Sequence, residues 1–336
     1  MKPPGFWYHP PASWADYLLS ALLRPLAPLY AAQVRNRLRK TTPERVDAAV
    51  ICVGNLTLGG TGKTPITRAL LEALKERGLE AHGLSRGYGG KEKGPLRVDR
   101  ATHTASDVGD EPLMLSSAAP IWIGQDRAAG ARQAAAAGAE VIVMDDGHQN
   151  PQLHKDLSII VIDAAAGWGN GRVFPAGPLR EPIADGLARA DAVVLMTTDE
   201  GDVPDFAALG LEDLEIPVLT AWLEAVEPPP AGNLLAFAGI GRPEKFFNAL
   251  VAAGAELAAS RAFGDHHVYS RNELTDLRRA AKAANAQLIT TEKDLVRLAP
   301  NDRDGILAWP VRARIAEPAR LLALLDQALD AAETRR

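Results

Sequence analysis

At 336 residues the chain has room for two compact domains, and its 47% hydrophobic and 24% charged content excludes wholesale disorder. A net charge of −5 gives no general reason to expect a nucleic-acid partner. Cys52 is the only cysteine, which excludes an internal disulfide and a cysteine metal cluster and fits a reducing cytoplasm.

The first candidate element is "WADYLLSALLRPLAPLYAAQVRNRLRK", residues 14–40. Nowhere does the chain reach the roughly 18 to 20 uninterrupted apolar residues of a membrane-spanning helix. Arg24, Pro25 and Pro28 also break the run a signal peptide would need. Leu and Tyr dominate up to Tyr30, and Arg35, Arg37, Arg39 and Lys40 follow. Two readings stand: an amphipathic segment lying in a membrane interface, or a helical hairpin packed on the protein's own body.

"AAVICVGN" (48–55) is a β-branched run that ends at a glycine loop, and "TPITRALLEALKERG" (64–78) has helical apolar spacing that stops at Gly78. Further strands are predicted at 79–84, 120–124, 140–145, 157–163 and 191–197, with helices at 110–118, 126–138 and 181–189. Apolar strands alternating with helices predict a parallel α/β sheet. After Glu200, proline- and glycine-rich connections flank a strand at 218–226. A second α/β round follows, with strand 233–238, helix 243–254, strand 257–263, helix 271–284 and strand 287–291. Residues 306–315 predict a strand that pairs with 218–226 as a two-stranded connection, and 317–332 predict a closing helix.

"VGNLTLGGTGKTP" (53–65) lies at the strand-to-helix junction that a phosphate-binding loop requires. It departs from the usual Gly, four residues, Gly-Lys-Ser/Thr, because Thr57 stands where the first glycine belongs. Gly59, Gly60 and Gly62, with Thr61 between them, let successive backbone N–H groups reach phosphate oxygens. Lys63 would neutralise the β- and γ-phosphates, and Thr64 would bind Mg²⁺ through its hydroxyl. No guanine-reading Asn-Lys-x-Asp is evident, which favours ATP over GTP.

"VIVMDDGHQ" (141–149) ends an apolar strand in two carboxylates, Asp145 and Asp146, either of which can serve Mg²⁺. "SRGYGG" (85–90) and "GNGRVFPAGPLREP" (169–182) place Arg86 and Arg180 at the carboxyl edge of the sheet, where each can clamp a phosphate. "SDVGDEPLML" (106–115) puts Asp110 and Glu111 at a helix start, where acidic residues are favoured on electrostatic grounds alone. "FGDHHVYS" (263–270) supplies Asp265, His266 and His267, too few ligands for a metal by spacing, but able to support a base that activates a hydroxyl. In "ITTEKDLVRL" (289–298), Thr291 can cap a helix and Lys293 can reach phosphate.

Taken in order, "FWY", "GNLTLGGTGKTP", "SRGYGG", "VGDEP", "DDGHQ", "GNGRVFPAGPLREP", "FAGIGRPEKFF", "FGDHH" and "TTEKDLVRL" resemble the tetraacyldisaccharide 4'-kinase family of lipid A biosynthesis in Gram-negative bacteria. The family loop has the form GN-x-T-x-GG-T-GK-TP, so Thr57 is its ordinary residue there. The resemblance implies ATP-dependent phosphorylation of the 4'-hydroxyl of a tetraacylated glucosamine disaccharide 1-phosphate. It implies Lys63 and Thr64 as phosphate and Mg²⁺ residues, and Asp145 and Asp146 as the acidic pair near Mg²⁺. Asp110 matches the proposed catalytic base, with His266 assisting, and Arg180 and Glu181 match the family's active-site "LRE". His267 falls where members vary, and Trp168 stands where an aromatic is usual. Asn55, Arg86, Tyr88 and Gln149 are further candidates for substrate contact.

The expected fold class is α/β, a P-loop NTPase-like α/β/α domain with a mostly parallel sheet, a second, smaller α/β domain and a two-stranded linker. The expected boundaries are an N-terminal membrane-associating segment 1–40, a P-loop kinase domain 41–215, a linker 216–231 with a return strand near 306–315, and a smaller domain 232–336 that includes the C-terminal helix. An acylated acceptor favours the interface reading of residues 14–40 and a peripheral position on the cytoplasmic face of the inner membrane, with no nucleic acid and no obligate protein partner. The rivals are a membrane-attached P-loop nucleotide switch or chaperone, and a soluble small-metabolite kinase.

Overall fold

The computed structural model describes residues 4–335, so residues 1–3 of the predicted N-terminal segment and Arg336 at the far end lie outside the described residues. Ser13 caps the first helix by accepting the Asp16 amide. That helix, α1 (Trp14–Leu23), runs through a 3-10 turn into α2 (Ala27–Lys40). Pro25 and Pro28 fall at the starts of the turn and of α2, where a missing N–H costs little. Ser20, Ala31 and Val34 are the buried positions of the pair, while Trp14, Tyr17, Leu18, Leu19, Leu22, Leu26 and Leu29 are exposed.

In chain order the strands are β1 (Ala49–Gly54), β2 (Ala81–Ser85), β3 (Leu96–Arg97), β4 (Ile121–Ile123), β5 (Val141–Asp145), β6 (Leu157–Asp163), β7 (Ala192–Met196), β8 (Val218–Ala225), β9 (Asn233–Ala238), β10 (Glu256–Ala262), β11 (Gln287–Thr291), β12 (Ile306–Trp309) and β13 (Val311–Ile315). Nine form one sheet in the order β13-β8-β7-β6-β1-β5-β2-β4-β3, parallel from β8 to β4 with an antiparallel strand at each edge. The inner strands β1, β5, β6 and β7 are buried throughout, which is why their sequences are continuous apolar runs rather than alternations. A second, all-parallel sheet has the order β10-β9-β11-β12.

The remaining helices are α3 (Lys63–Glu76), α4 (Ala105–Val108), α5 (Asp110–Leu115), α6 (Arg127–Ala136), α7 (Ile183–Leu187), α8 (Pro243–Ala252), α9 (Arg271–Ala283), α10 (Glu292–Arg297) and α11 (Pro318–Glu333). Helices α8 and α9 cover opposite faces of the smaller sheet, with Phe246, Phe247 and Leu250 on one side and Leu274, Leu277 and Ala281 on the other. Among the described residues no helix is long and apolar enough to cross a membrane.

Three sequence expectations need correction. Residues 306–315 do not form one strand, because Pro310 has no N–H to give a ladder and divides them. Strand β12 joins the smaller sheet and β13 returns to pair with β8, whose other side pairs with β7. The two-stranded connection is therefore also the edge of the large sheet. The closing helix α11 does not complete the smaller domain. Its stripe of Leu321, Leu325, Ala328 and Ala332 packs in the same core as Ile51, Val53, Ile66 and Ile159 of the large sheet. Helix 110–118 is also shorter than predicted, and the separate turn of α4 precedes it.

The two units meet where α10 packs beside α5. Arg68 of α3 pairs with Glu292 at 3.0 Å, and Lys245 of α8 with Asp163 at the end of β6, also at 3.0 Å. Both seams border the carboxyl ends of β1, β5 and β6, the edge at which parallel sheets bind ligands.

Candidate active site

Beyond β1 the chain does not turn at once. The Leu58 N–H donates to the Pro178 carbonyl at 2.7 Å and the Arg180 N–H to the Leu56 carbonyl at 2.7 Å, while Thr57 bridges Leu179. Residue 57 is thus an extended position with no need of positive φ, which accounts for threonine in place of glycine. The turn comes later, with φ +122° at Gly59 and +91° at Gly62. At Gly62 a side chain would also strike Met196, 2.8 Å from an added Cβ. Among the described residues, the amides of Gly59, Gly60, Thr61, Gly62, Lys63 and Thr64 donate to nothing. Six consecutive free N–H groups at the N-terminal end of α3 make an anion cradle.

The two carboxylates after β5 have different surroundings. Asp146 turns the chain at φ +53° and faces Lys63 Nζ at 3.6 Å and Arg180 Nη1 at 2.7 Å. Burial alone would raise its pKa, but Lys63 and Arg180 outweigh burial and hold it at about 2. Asp145 is wholly buried, and its Oδ1 accepts the Thr67 hydroxyl at 3.2 Å. Its Oδ2 has no partner. Burial first, then Glu111, push Asp145 up to about 7 against the pull of Lys63. A buried, unpartnered carboxylate oxygen within the field of Lys63 suits a hard cation such as Mg²⁺. Among the described residues no group of three or more His, Cys, Asp or Glu forms a complete cage, so phosphate oxygens would have to finish the shell.

Asp110 opens α5 after Gly109, whose φ is +91°. Its Oδ2 lies 3.0 Å from His266 Nδ1 and accepts Arg297 Nε at 2.7 Å, both from the smaller unit. Burial would raise the Asp110 pKa, but His266, Lys293 and Arg297 together hold it well below the ordinary carboxylate range. Arg297 is itself fixed by Asp294 at 2.8 Å and the Gly239 carbonyl at 2.6 Å. Asp294 in turn takes the Tyr269 and Thr291 hydroxyls. Beside this cluster Lys293 pairs with Glu111 at 3.0 Å.

The family description for tetraacyldisaccharide-1-P 4'-kinases (LpxK) matches residues 19–330. The chain belongs to this family. A tetraacyldisaccharide 4'-kinase of Maricaulis maris is 55% identical over 332 residues, 98% of this chain and 97% of its own. One from Caulobacter vibrioides strain NA1000 / CB15N is 52% identical over 327 residues, 96% and 97% of the two chains. A crystal structure of LpxK from Aquifex aeolicus in complex with ATP is similar with a TM-score of 0.75 and 26% identity, over 93% of this chain and 99% of that one.

In this 4'-kinase family member the predicted site residues divide by position. Lys63, Arg180 and Asp146 form one contact group, and Asp110 and His266 another. Tyr88 joins the second, edge-on to His266 at 6.0 Å on an exposed loop, while the exposed Arg86 has no ion pair among the described residues. Glu181 is buried and paired with Arg189 at 2.5 Å, and it accepts from Gln149 Nε2 at 2.9 Å. Gln149 also donates to the Asn55 carbonyl at 2.9 Å, and Asn55 Nδ2 to the Thr57 carbonyl at 2.7 Å. Asn55, Gln149 and Glu181 therefore brace the loop from within. His267 turns to Glu273 at 3.0 Å, away from Asp110.

Sequence reasoning missed Arg297, Thr67, His148 and Tyr8. His148 is buried between the Ser158 hydroxyl and the Gly186 carbonyl, and burial drives its pKa down to about 3. It packs behind Gly54, where an added Cβ would come within 2.4 Å of its own. "DDGHQ" contains His148, but its burial is set by Ser158 and Gly186, which no local spacing in the motif marks.

Proposed function

We propose that this chain transfers the γ-phosphoryl group of ATP to the 4'-hydroxyl of a tetraacylated glucosamine disaccharide 1-phosphate. The carrying observation is the run of six free amides from Gly59 to Thr64, with Lys63 within it facing Asp146 and Arg180 beside that carboxylate. The cradle would hold the β- and γ-phosphates of ATP, with Lys63 and Arg180 gathering the charge that spreads over the transferred group. Asp145, with the hydroxyl of Thr64 and with Asp146 nearby, would hold Mg²⁺, which supplies further positive charge at the phosphate oxygens.

Asp110 is the group that takes the proton of the sugar hydroxyl as its oxygen bonds to the γ-phosphorus and the bridge to ADP breaks. In the structure Arg297 and His266 keep Asp110 ionised, ready to accept. The same contacts lower its basicity, so the acceptor hydroxyl must replace part of the Arg297 contact to make the carboxylate effective. Because His266 and Arg297 come from the smaller unit, this half of the site is complete only with the two units together.

The exposed Trp14, Tyr17, Leu18, Leu19, Leu22, Leu26 and Leu29 would rest in the acyl boundary of the bilayer that carries the acceptor. The reading that goes with this is a peripheral position on the cytoplasmic face of the inner membrane, where ATP and the acylated acceptor would meet, with no nucleic acid and no obligate protein partner. The test is incubation of the full chain with Mg²⁺, γ-labelled ATP and the disaccharide 1-phosphate glycolipid. Label in the glycolipid supports the reading, and hydrolysis of ATP with unlabelled lipid contradicts it.

A further inference from the structure

We infer that Tyr8 is a positioning residue for the nucleotide loop, so that the N-terminal segment bearing the exposed apolar helices also sets the loop's affinity for the nucleotide. The inference rests on reading that loop as the ATP site. Its ground is one hydrogen bond: the Tyr8 hydroxyl donates to the Leu58 carbonyl at 2.9 Å. In a trans peptide the C=O and the following N–H point in opposite directions. Holding the Leu58 carbonyl toward Tyr8 therefore turns the Gly59 N–H away from it, as the first of the free amides. Glycine on both sides of the next peptide gives this turn little resistance to flipping, and Gly60 has open space around it. An external clamp is what fixes the plane.

The clamp is itself anchored. Phe6 and Trp7 are buried, and the Trp7 ring meets Phe174 edge-on at 6.1 Å. Asn170 donates its N–H to the Trp7 carbonyl at 2.7 Å and its side-chain amide to the Phe6 carbonyl at 3.1 Å. Gly169 lets this happen, since a side chain there would lie 2.4 Å from the Trp7 carbonyl oxygen. Burial first, and then Asp163, raise the Tyr8 pKa against Arg242, so the phenol stays a donor at neutral pH. Only residues 9–13 separate Tyr8 from α1, so the same segment touches the loop at one end and the proposed lipid surface at the other.

The test compares the full-length wild type with Tyr8→Phe, which keeps the ring and its packing and removes only the donor. Calorimetric ADP binding is measured alongside kcat and both KM values. A single neutral hydrogen bond predicts roughly fivefold weaker ADP binding and a matching rise in KM for ATP. The KM for the glycolipid and the thermal midpoint stay the same. Unchanged ADP binding in Tyr8→Phe overturns the inference while leaving the kinase reading intact. So does a variant that loses thermal stability and raises both KM values equally, since that is the mark of a structural residue. Failure of the wild type to bind ADP removes the loop's function and this inference with it.

Discussion

Asp110 and Asp145 are both buried carboxylates, yet at Asp110 the surrounding cations outweigh burial and at Asp145 burial prevails, and each direction has a consequence. Replacing Asp110 by Asn keeps the size and the contact with Arg297 but cannot accept a proton. Turnover is expected to fall by at least about 100-fold with ADP binding retained, as read by steady-state rates and calorimetry. A near wild-type rate would remove Asp110 from the chemistry. Asp145 has a folded pKa of about 7, above the value near 4 of an unfolded chain. The nucleotide-free protein therefore binds an extra proton between those values and loses stability as pH rises through 7. Asp145→Asn should raise the thermal midpoint of the metal- and nucleotide-free protein at pH 8 and change it much less at pH 5. At this scale the sequence exposed the glycines, Lys63 and the acidic pair, because the chain itself places them at a strand end. It could not separate Asp145 from Asp146, since the difference lies in Thr67, Glu111 and Arg180 from three other elements. Arg297 was hidden for the same reason. Its partner Asp110 is 187 positions away, and on its own helix it reads as an ordinary basic residue in the last turn.

Elements were legible where a continuous apolar run marks a strand buried on both faces, as in β1, β5, β6 and β7, and less so where the assignment turned on a partner. The stripe of α11 announced an amphipathic helix but not which sheet it would cover. Leu325→Ala tests that placement. It should cost about 2 to 5 kcal/mol in urea unfolding and act on the large sheet, read by hydrogen exchange of β1 and β6 amides with those of β9 and β11 less affected. Protection lost chiefly in β9 and β11 would return α11 to the smaller unit. Helices α1 and α2 pose a question of the surface rather than the core, for Trp14 is 77% exposed with Leu22 and Leu29 nearly as open. A Leu22→Glu, Leu29→Glu double variant should lose sedimentation with anionic vesicles while keeping its folded circular dichroism. Vesicle binding equal to wild type would return these helices to a role within the protein.

At the scale of the whole molecule, two α/β units each contribute residues to the candidate site. The larger carries the anion cradle, Lys63, Asp146, Arg180 and the carboxylate of Asp110, and the smaller brings His266 and Arg297 to that carboxylate. The α/β alternation foretold both sheets. It did not foretell that Pro310 would hand the chain from one sheet to the other within a single apparent strand, because residues 306–315 carry no mark of which ladder each half enters. The central claim joins the two halves in one reaction, and the most direct measurement is mass spectrometry of the glycolipid after incubation with Mg²⁺ and γ-¹⁸O-labelled ATP. The account predicts a product heavier by one labelled phosphate, with fragmentation placing it on the distal sugar at the 4' position. Glycolipid recovered unchanged while ATP is consumed, or phosphate attached elsewhere on the disaccharide, would contradict it.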